Sequence, residues 1–282
     1  TGVAVGAWST GGDLNTARKS MGGAGIQTAA LGFGGNPGTK NETETYNGTA
    51  WTEVNNLTTA RGKLGGAGTQ TAALAFGGNS PAKNETETWN GTNWTEVNNL
   101  GTARYGLAGA GTQTAALAFG AYTPPPTVAF TELWNGTNWT EVNDMNTGRG
   151  YLGGVGATNT AVLGFGGYTR SPAAIVDITE LWNGTNWTEV GDMNAAKRAL
   201  AGAGISTAAL GFGGTTSTAN VGQTETWNGT SWSEVNDLNI ARISLAGTGT
   251  NTAALAFGGS PTQTAATEEW SIPGTITKTL TT

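Results

Sequence analysis

The chain has no cysteine and no histidine among its 282 residues. The first absence excludes a disulfide framework and thiol chemistry, and it leaves the redox compartment unread. Together they exclude His-dependent triads, cysteine nucleophiles and the common zinc ligand sets. Charge is scarce as well: 11% of residues, with 13 Lys plus Arg against 19 Asp plus Glu. A phosphate-backbone binder needs a basic patch, so nucleic acid is not an expected partner. No apolar run approaches the ~18 residues of a membrane span, and the opening residues lack the basic and apolar regions of a signal peptide. Membrane insertion is therefore not expected. The sequence opens on Thr1 without a methionine, which reads as a processed product or part of a longer polypeptide.

Glycine and tryptophan are plentiful, at 47 and 11 residues. Disordered chains are poor in aromatics, so regularly spaced tryptophans argue for a folded chain. The spacing is that of a repeat. TETYNGTAWTEV at 43–54 returns as TETWNGTNWTEV at 86–97, TELWNGTNWTEV at 131–142 and TETWNGTSWSEV at 224–235. Aligning on the second tryptophan marks six units, at Trp8, Trp51, Trp94, Trp139, Trp187 and Trp232. An arginine follows each, at Arg18, Arg61, Arg104, Arg149, Arg198 and Arg242, and a phenylalanine closes an apolar run at Phe33, Phe76, Phe119, Phe165, Phe212 and Phe257. The period runs from 43 residues (Trp8 to Trp51) to 49 (Arg149 to Arg198), the range of a four-stranded propeller blade.

Each unit holds four short strand-like runs between turn signals. In the second unit these are KLGGAGTQ, TAALAFGG, ETETWNG and NWTEV. The first is built of small residues, as an inner strand beside a central channel requires. In the second, Ala72, Leu74 and Phe76 share one face and Ala73 and Ala75 the other, so large residues of one blade can meet small ones of the next. The Asn-Gly pairs at Asn47, Asn90, Asn135, Asn183 and Asn228 predict type I′ hairpin turns. Their Asn-Gly-Thr context also fits a glycosylation acceptor, but turn chemistry accounts for every copy.

These residues resemble kelch repeats: an apolar strand ending in Gly-Gly (LGFGG at 31–35, LAFGG at 74–78), a spaced Tyr46 or Trp89, a second tryptophan about five residues on, then arginine. The likeness covers residues 8–270 and departs at Ala121, where the second glycine is replaced. The near-identity of the copies is similar to repeat arrays encoded by marine phages and bacteria. Kelch-type copper oxidases use histidine ligands and a cysteine crosslink, so that activity does not carry over. Trp8 has a fourth-strand signature without a hairpin before it, and Trp270 a third-strand signature without a strand after it. The expected fold is all-β: a six-bladed kelch-type propeller over 1–270, four antiparallel strands per blade, its last blade closed by both ends of the chain. Residues 271–282 are expected to be a tail or linker.

Two charged series recur with the blades, the arginines above and Glu44, Glu87, Glu132, Glu180, Glu225 and Glu268. Either could ring an ion site at the channel mouth, or the two could pair as framework. Six-fold repetition favours framework, because a site needed once is rarely copied six times. No Walker loop, EF-hand or dinucleotide fingerprint occurs, and no cofactor or metal is expected. A carboxylate pair such as a glycosidase uses remains chemically open, with Asp177 as its one blade-specific candidate.

Between copies, the connection from second to third strand changes most: NPGTKN, NSPAKN, YTPPPTVAF, YTRSPAAIVDI, TTSTANVGQ and SPTQTAA. Irregular loops on a rigid scaffold are a usual place for binding. Blades three and four bring Tyr122, Phe130, Tyr168, Arg170 and Asp177 to these loops, with Pro124, Pro125 and Pro126 to stiffen the first. The expected function is a non-enzymatic binding module for a protein or surface glycan, displayed on a virion or cell surface. A purely architectural role in such an assembly is the alternative.

Overall fold

The computed structural model describes residues 5–79, 81–123, 127–261 and 264–273. Every regular element among them is a β-strand; 24 of the 26 strands form six four-stranded antiparallel sheets and the other two a short hairpin. The protein is a six-bladed β-propeller. Blade one runs from the axis outward as Gly22–Ile26, Ala29–Gly35, Lys40–Tyr46 and Trp51–Val54. Blade two follows as Gly65–Gly68, Ala73–Phe76, Thr86–Trp89 and Trp94–Val97. Blade six is the exception. Its outer strand is Ala7–Thr10, which pairs with Thr267–Ser271 in the register Trp8↔Trp270. Ser271 thus belongs to the sheet, and the expected tail overlaps it by that residue; residues 274–282 lie outside the described ones.

The six inner strands surround a channel of about 360 Å³ lined mainly by glycine and alanine. Small residues are required there because adjacent blades converge. A Cβ on Gly66 would lie 2.8 Å from Cζ of Phe33 and 3.0 Å from the Gly23 carbonyl oxygen, inside any normal contact.

Adhesion between blades follows the large-on-small pattern. Leu31 and Phe33 of blade one pack against Ala73, Ala75, Trp89 and Trp94 of blade two, and Leu74 and Phe76 pack in turn against Ala116, Ala118 and Trp134 of blade three. Ala72 does not join this face and is only half-buried. Each outer tryptophan also donates its indole N–H to a threonine of the preceding blade: Trp94 to Thr43 at 3.0 Å, Trp51 to Thr267 at 2.9 Å, Trp8 to Thr224 at 3.0 Å. Burying a phenylalanine contributes about 1.5–3 kcal/mol, against about 0.5–1.5 kcal/mol for a neutral hydrogen bond. Apolar contact therefore holds the blades together, and the indole bonds fix their register.

The hairpin carrying both tryptophans differs from the sequence expectation. Trp89 pairs with Trp94, so the loop has four residues instead of a two-residue type I′ turn. Gly91 is its only positive-φ residue, at 92°. Asn90 stays in ordinary space and closes the loop with its side chain, whose Oδ1 accepts the N–H groups of Thr92 and Asn93 at 2.9 and 2.8 Å. Asparagine is selected here as a side-chain mimic of a turn.

Candidate functional site

The charged series forms a framework at the blade bases. Arg18, Arg61, Arg104, Arg149 and Arg242 pair with Glu44, Glu87, Glu132, Glu180 and Glu268 at 2.8–3.3 Å, with the guanidinium side chains fully buried. The glutamates also accept backbone N–H bonds from the preceding connector, for example Thr58 to Glu87 at 2.7 Å. Blade five requires a correction: its cation is Lys197, 2.9 Å from Glu225 and fully buried. Arg198 is one position on and lies over the ring of Tyr168, 5.0 Å from its centroid. Lys197 stands four residues after Met193, as Arg61 stands four after Leu57, so the register of the connector decides which cation turns inward. Burial lowers the pKa values of the five framework guanidiniums against the pull of their glutamates, that of Arg149 to about 10.

Immediately after each framework cation the chain reaches the axis. Ser20, Lys63, Gly106, Tyr151, Ala199 and Ser244 all adopt left-handed backbone, φ 53–63°. Their backbones bond in a closed circle: Lys63 N–H to Ser20 O, Gly106 to Lys63, Tyr151 to Gly106, Ala199 to Tyr151, Ser244 to Ala199 and Ser20 to Ser244, each 2.7–2.8 Å. A left-handed non-glycine residue costs roughly 1–2 kcal/mol, and such strain persists only where the surroundings enforce it. Here the circle enforces it. The preceding residues, Lys19, Gly62, Tyr105, Gly150, Arg198 and Ile243, each bridge to the end of a second strand, at Asn36, Asn79, Tyr122, Tyr168, Thr215 and Ser260. Three concentric rings thus share one face, on a backbone repeated six times. Their side chains differ from blade to blade, while the flanking residues that hold them hardly change.

One sector of this face is aromatic and basic. Tyr105 and Tyr122 lie against each other with centroids 5.3 Å apart and planes tilted by 41°, and Tyr151 lies 6.5 and 6.2 Å from them. Lys63 Nζ sits 5.0 Å from the Tyr105 centroid and 5.5 Å from that of Tyr151, and donates to the Tyr151 hydroxyl at 3.3 Å. Arg170 lies over Tyr122, 5.5 Å from its centroid, and hydrogen-bonds its hydroxyl. It is carried on a short hairpin peculiar to blade four, Tyr168–Arg170 with Ala173–Ile175. A shallow cavity of about 140 Å³ opens at the axis, with Ser20, Lys63, Tyr151 and Ser244 in its wall. Burial lowers the Lys63 ammonium below the usual lysine range, with Lys19 adding repulsion. Burial pushes the Tyr151 phenol up to about 12, its tyrosine neighbours contributing next.

Of the expected site residues, Tyr122, Tyr168 and Arg170 are on this face, whereas Phe130 and Asp177 are not part of its cluster. The Phe130 carbonyl accepts from Arg104 at 3.3 Å, just as Glu42, Ile178 and Ala266 serve Arg18, Arg149 and Arg242. The Asp177 carbonyl accepts the Met193 N–H at 3.0 Å, as Asn41 does for Leu57 and Asn84 for Leu100. Both carbonyls have counterparts in the other blades, while the side chains at these positions vary. Pro124, Pro125 and Pro126 lie outside the described residues. Tyr105, Tyr151 and Lys63 escaped the sequence reading because it compared only the loops between second and third strands. The signal was present in the two residues after each framework cation: Lys-Ser, Gly-Lys, Tyr-Gly, Gly-Tyr, Arg-Ala and Ile-Ser.

The fold and this face define a six-bladed β-propeller with a varied axial surface. No family model matches the sequence, and no curated protein matches it significantly.

Proposed function

We propose that the chain is a non-enzymatic binding module of kelch type that uses the loop face to attach to a surface glycan or protein, as part of a virion or cell-surface assembly. The observation that carries this reading is the distribution of difference within one chain. Framework positions repeat almost unchanged, while neighbouring positions on three concentric rings carry Ser, Lys, Gly, Tyr, Ala and Ser at the axis and comparable variety outside it. A backbone held constant under changing side chains is the arrangement that makes a surface adjustable without loss of fold. Tyrosine and arginine, concentrated in one sector, are also the residue types enriched where binding energy gathers. The non-enzymatic part is supported by the glutamates, whose carboxylates are spent on cations and connector N–H groups.

The test is replacement of Tyr122, Tyr168 and Arg170 together by alanine. Attachment of the protein to cells or particles from its source should be abolished, with unfolding free energy within about 1 kcal/mol, as for other surface changes. Unchanged attachment would replace this reading with a purely architectural one.

A further inference from the structure

Of 13 Lys and Arg, five arginines and Lys197 are consumed in the buried framework. Lys40 and Lys83 pair with Glu42 and Glu85 at the surface, and Lys278 lies outside the described residues. The remaining four are Lys19, Lys63, Arg170 and Arg198, and among the described residues none has a carboxylate within 4.0 Å. All four belong to the loop face. So do four of the five tyrosines, since only Tyr46 is elsewhere. Among the described residues, a protein of net charge −6 therefore gathers its uncompensated cations at one mouth of the propeller, among aromatic rings.

We infer that the ligand of this face is a carboxylate-bearing sugar, its carboxylate held at the axis by Lys63 and its ring packed against the parts of the half-exposed Tyr105, Tyr122 and Tyr151 that Lys63 and Arg170 leave open. The inference rests on the reading of the loop face as a binding surface and names the ligand class. An aromatic cage can capture a cationic ligand, but this cage already holds its own lysine. What is left to offer is the ammonium: one of its three N–H donors goes to Tyr151, and two remain for an acceptor. Half-burial of Lys63 reduces competition from water, and Lys19 reinforces the attraction for an anion. The hydroxyls of Ser20 and Ser244 flank the same cavity and suit the neighbouring hydroxyls of a sugar. A polyphosphate chain is disfavoured, because four cations on a net-acidic protein make a point of attraction and not a track. An acidic peptide would use the charge but leave the aromatic platform idle.

The experiment is calorimetric titration of the whole chain with a short galacturonate oligomer, the equally long neutral galactose oligomer, and an oligoglutamate of equal charge. The galacturonate should bind, the neutral oligomer should bind at least about tenfold more weakly, and affinity should fall with added salt. Lys63→Met, which keeps the packed stem, should lose about tenfold or more of the affinity, the scale of a hydrogen bond to a charged group. Tyr105→Leu should weaken both sugars. If Lys63→Met fails to fold, the salt dependence of the native protein decides, and a flat profile overturns the inference. No binding of galacturonate, equal binding of the neutral sugar, or equally tight oligoglutamate also overturns it. Those results leave the loop-face reading standing as long as the triple Tyr122, Tyr168 and Arg170 variant abolishes attachment to source material; survival of attachment in that variant is the failure of the reading itself.

Discussion

A guanidinium removed from water regains its solvation only if every partner stays in place, and this makes the framework arginines sensitive and Arg198 tolerant. Arg61→Ala strands the buried Glu87 carboxylate, and breaking a buried pair in this way costs about 3–5 kcal/mol. Arg198→Ala removes only a partly exposed cation over Tyr168, so the change should stay within about 0.5 kcal/mol. Chemical denaturation of the two variants checks the assignment; a large loss at Arg198 would put it back in the framework. Phenols give a second residue-scale expectation. Tyr46, buried and donating to Glu269 at 2.5 Å, is pushed up to about 12, as is Tyr151. In the unfolded chain both titrate near about 10. The folded state therefore prefers the protonated phenol, so this stabilisation is complete below about pH 10 and is lost as pH rises through about 12. A tyrosinate absorbance titration should show three phenols held up by burial, Tyr46, Tyr105 and Tyr151, and Tyr46→Phe should remove one. If all tyrosines ionised together near pH 10, the burial argument would fail. Residue type was a poor guide at this scale: the nearest arginine marked blade five wrongly, while counting from Met193 would have reached Lys197.

Strands and turns were more legible, because their rules depend on spacing. Period two sorted Leu74 and Phe76 from Ala73 and Ala75, and small residues marked the inner strands, since both consequences follow from how closely backbones must approach. The hairpin was misread for want of the same arithmetic. Four residues separate Trp89 from Trp94, which permits the pair to face each other only across a four-residue loop, whereas Asn-Gly as a dipeptide suggested two. Ala121 illustrates the reverse case: it lacks the positive φ of the second glycine elsewhere, and the strand runs on as Ala115–Tyr122, delivering Tyr122 to the aromatic sector. At the element scale the critical experiment is Gly66→Ala. Its Cβ would meet Phe33 and the Gly23 carbonyl within 2.8–3.0 Å, and overpacking of this kind typically costs about 1–3 kcal/mol. Gly38 has φ 71° but open space around it, so Gly38→Asn, a residue that tolerates left-handed backbone, should cost much less. Equal losses at the two sites would mean that backbone conformation, not inter-blade clearance, dictates glycine in the inner strands.

At the scale of the whole molecule, a propeller is stable only if its last blade is as well bonded as the others, and here the join is made at three radii. On the axis, the Ser20 N–H to Ser244 carbonyl bond of 2.7 Å completes the circle. At mid-radius, Phe257 of blade six packs with Trp51 of blade one, ring centroids 4.8 Å apart. At the rim, Ala7–Thr10 completes blade six, with Trp8 packed on Phe212 at 4.8 Å and bonded to Thr224. Only the rim contact is contributed by a strand remote in sequence from the rest of its blade, and it alone can be removed without cutting the repeat. Deleting residues 1–10 would expose Trp270 and leave Thr267–Ser271 as an open sheet edge, a template for pairing with other chains. The axial and mid-radius joins would survive, so the expected result is a folded ring with a lower melting temperature and concentration-dependent association, seen by light scattering. A synthetic peptide spanning residues 5–12 should restore both melting temperature and monodispersity by occupying the vacant edge. A truncated protein as stable and as monodisperse as the original would show that the axial circle closes the propeller unaided; one that unfolds outright, and is not rescued by the peptide, would show that the rim strand sets the ring before the axis can close.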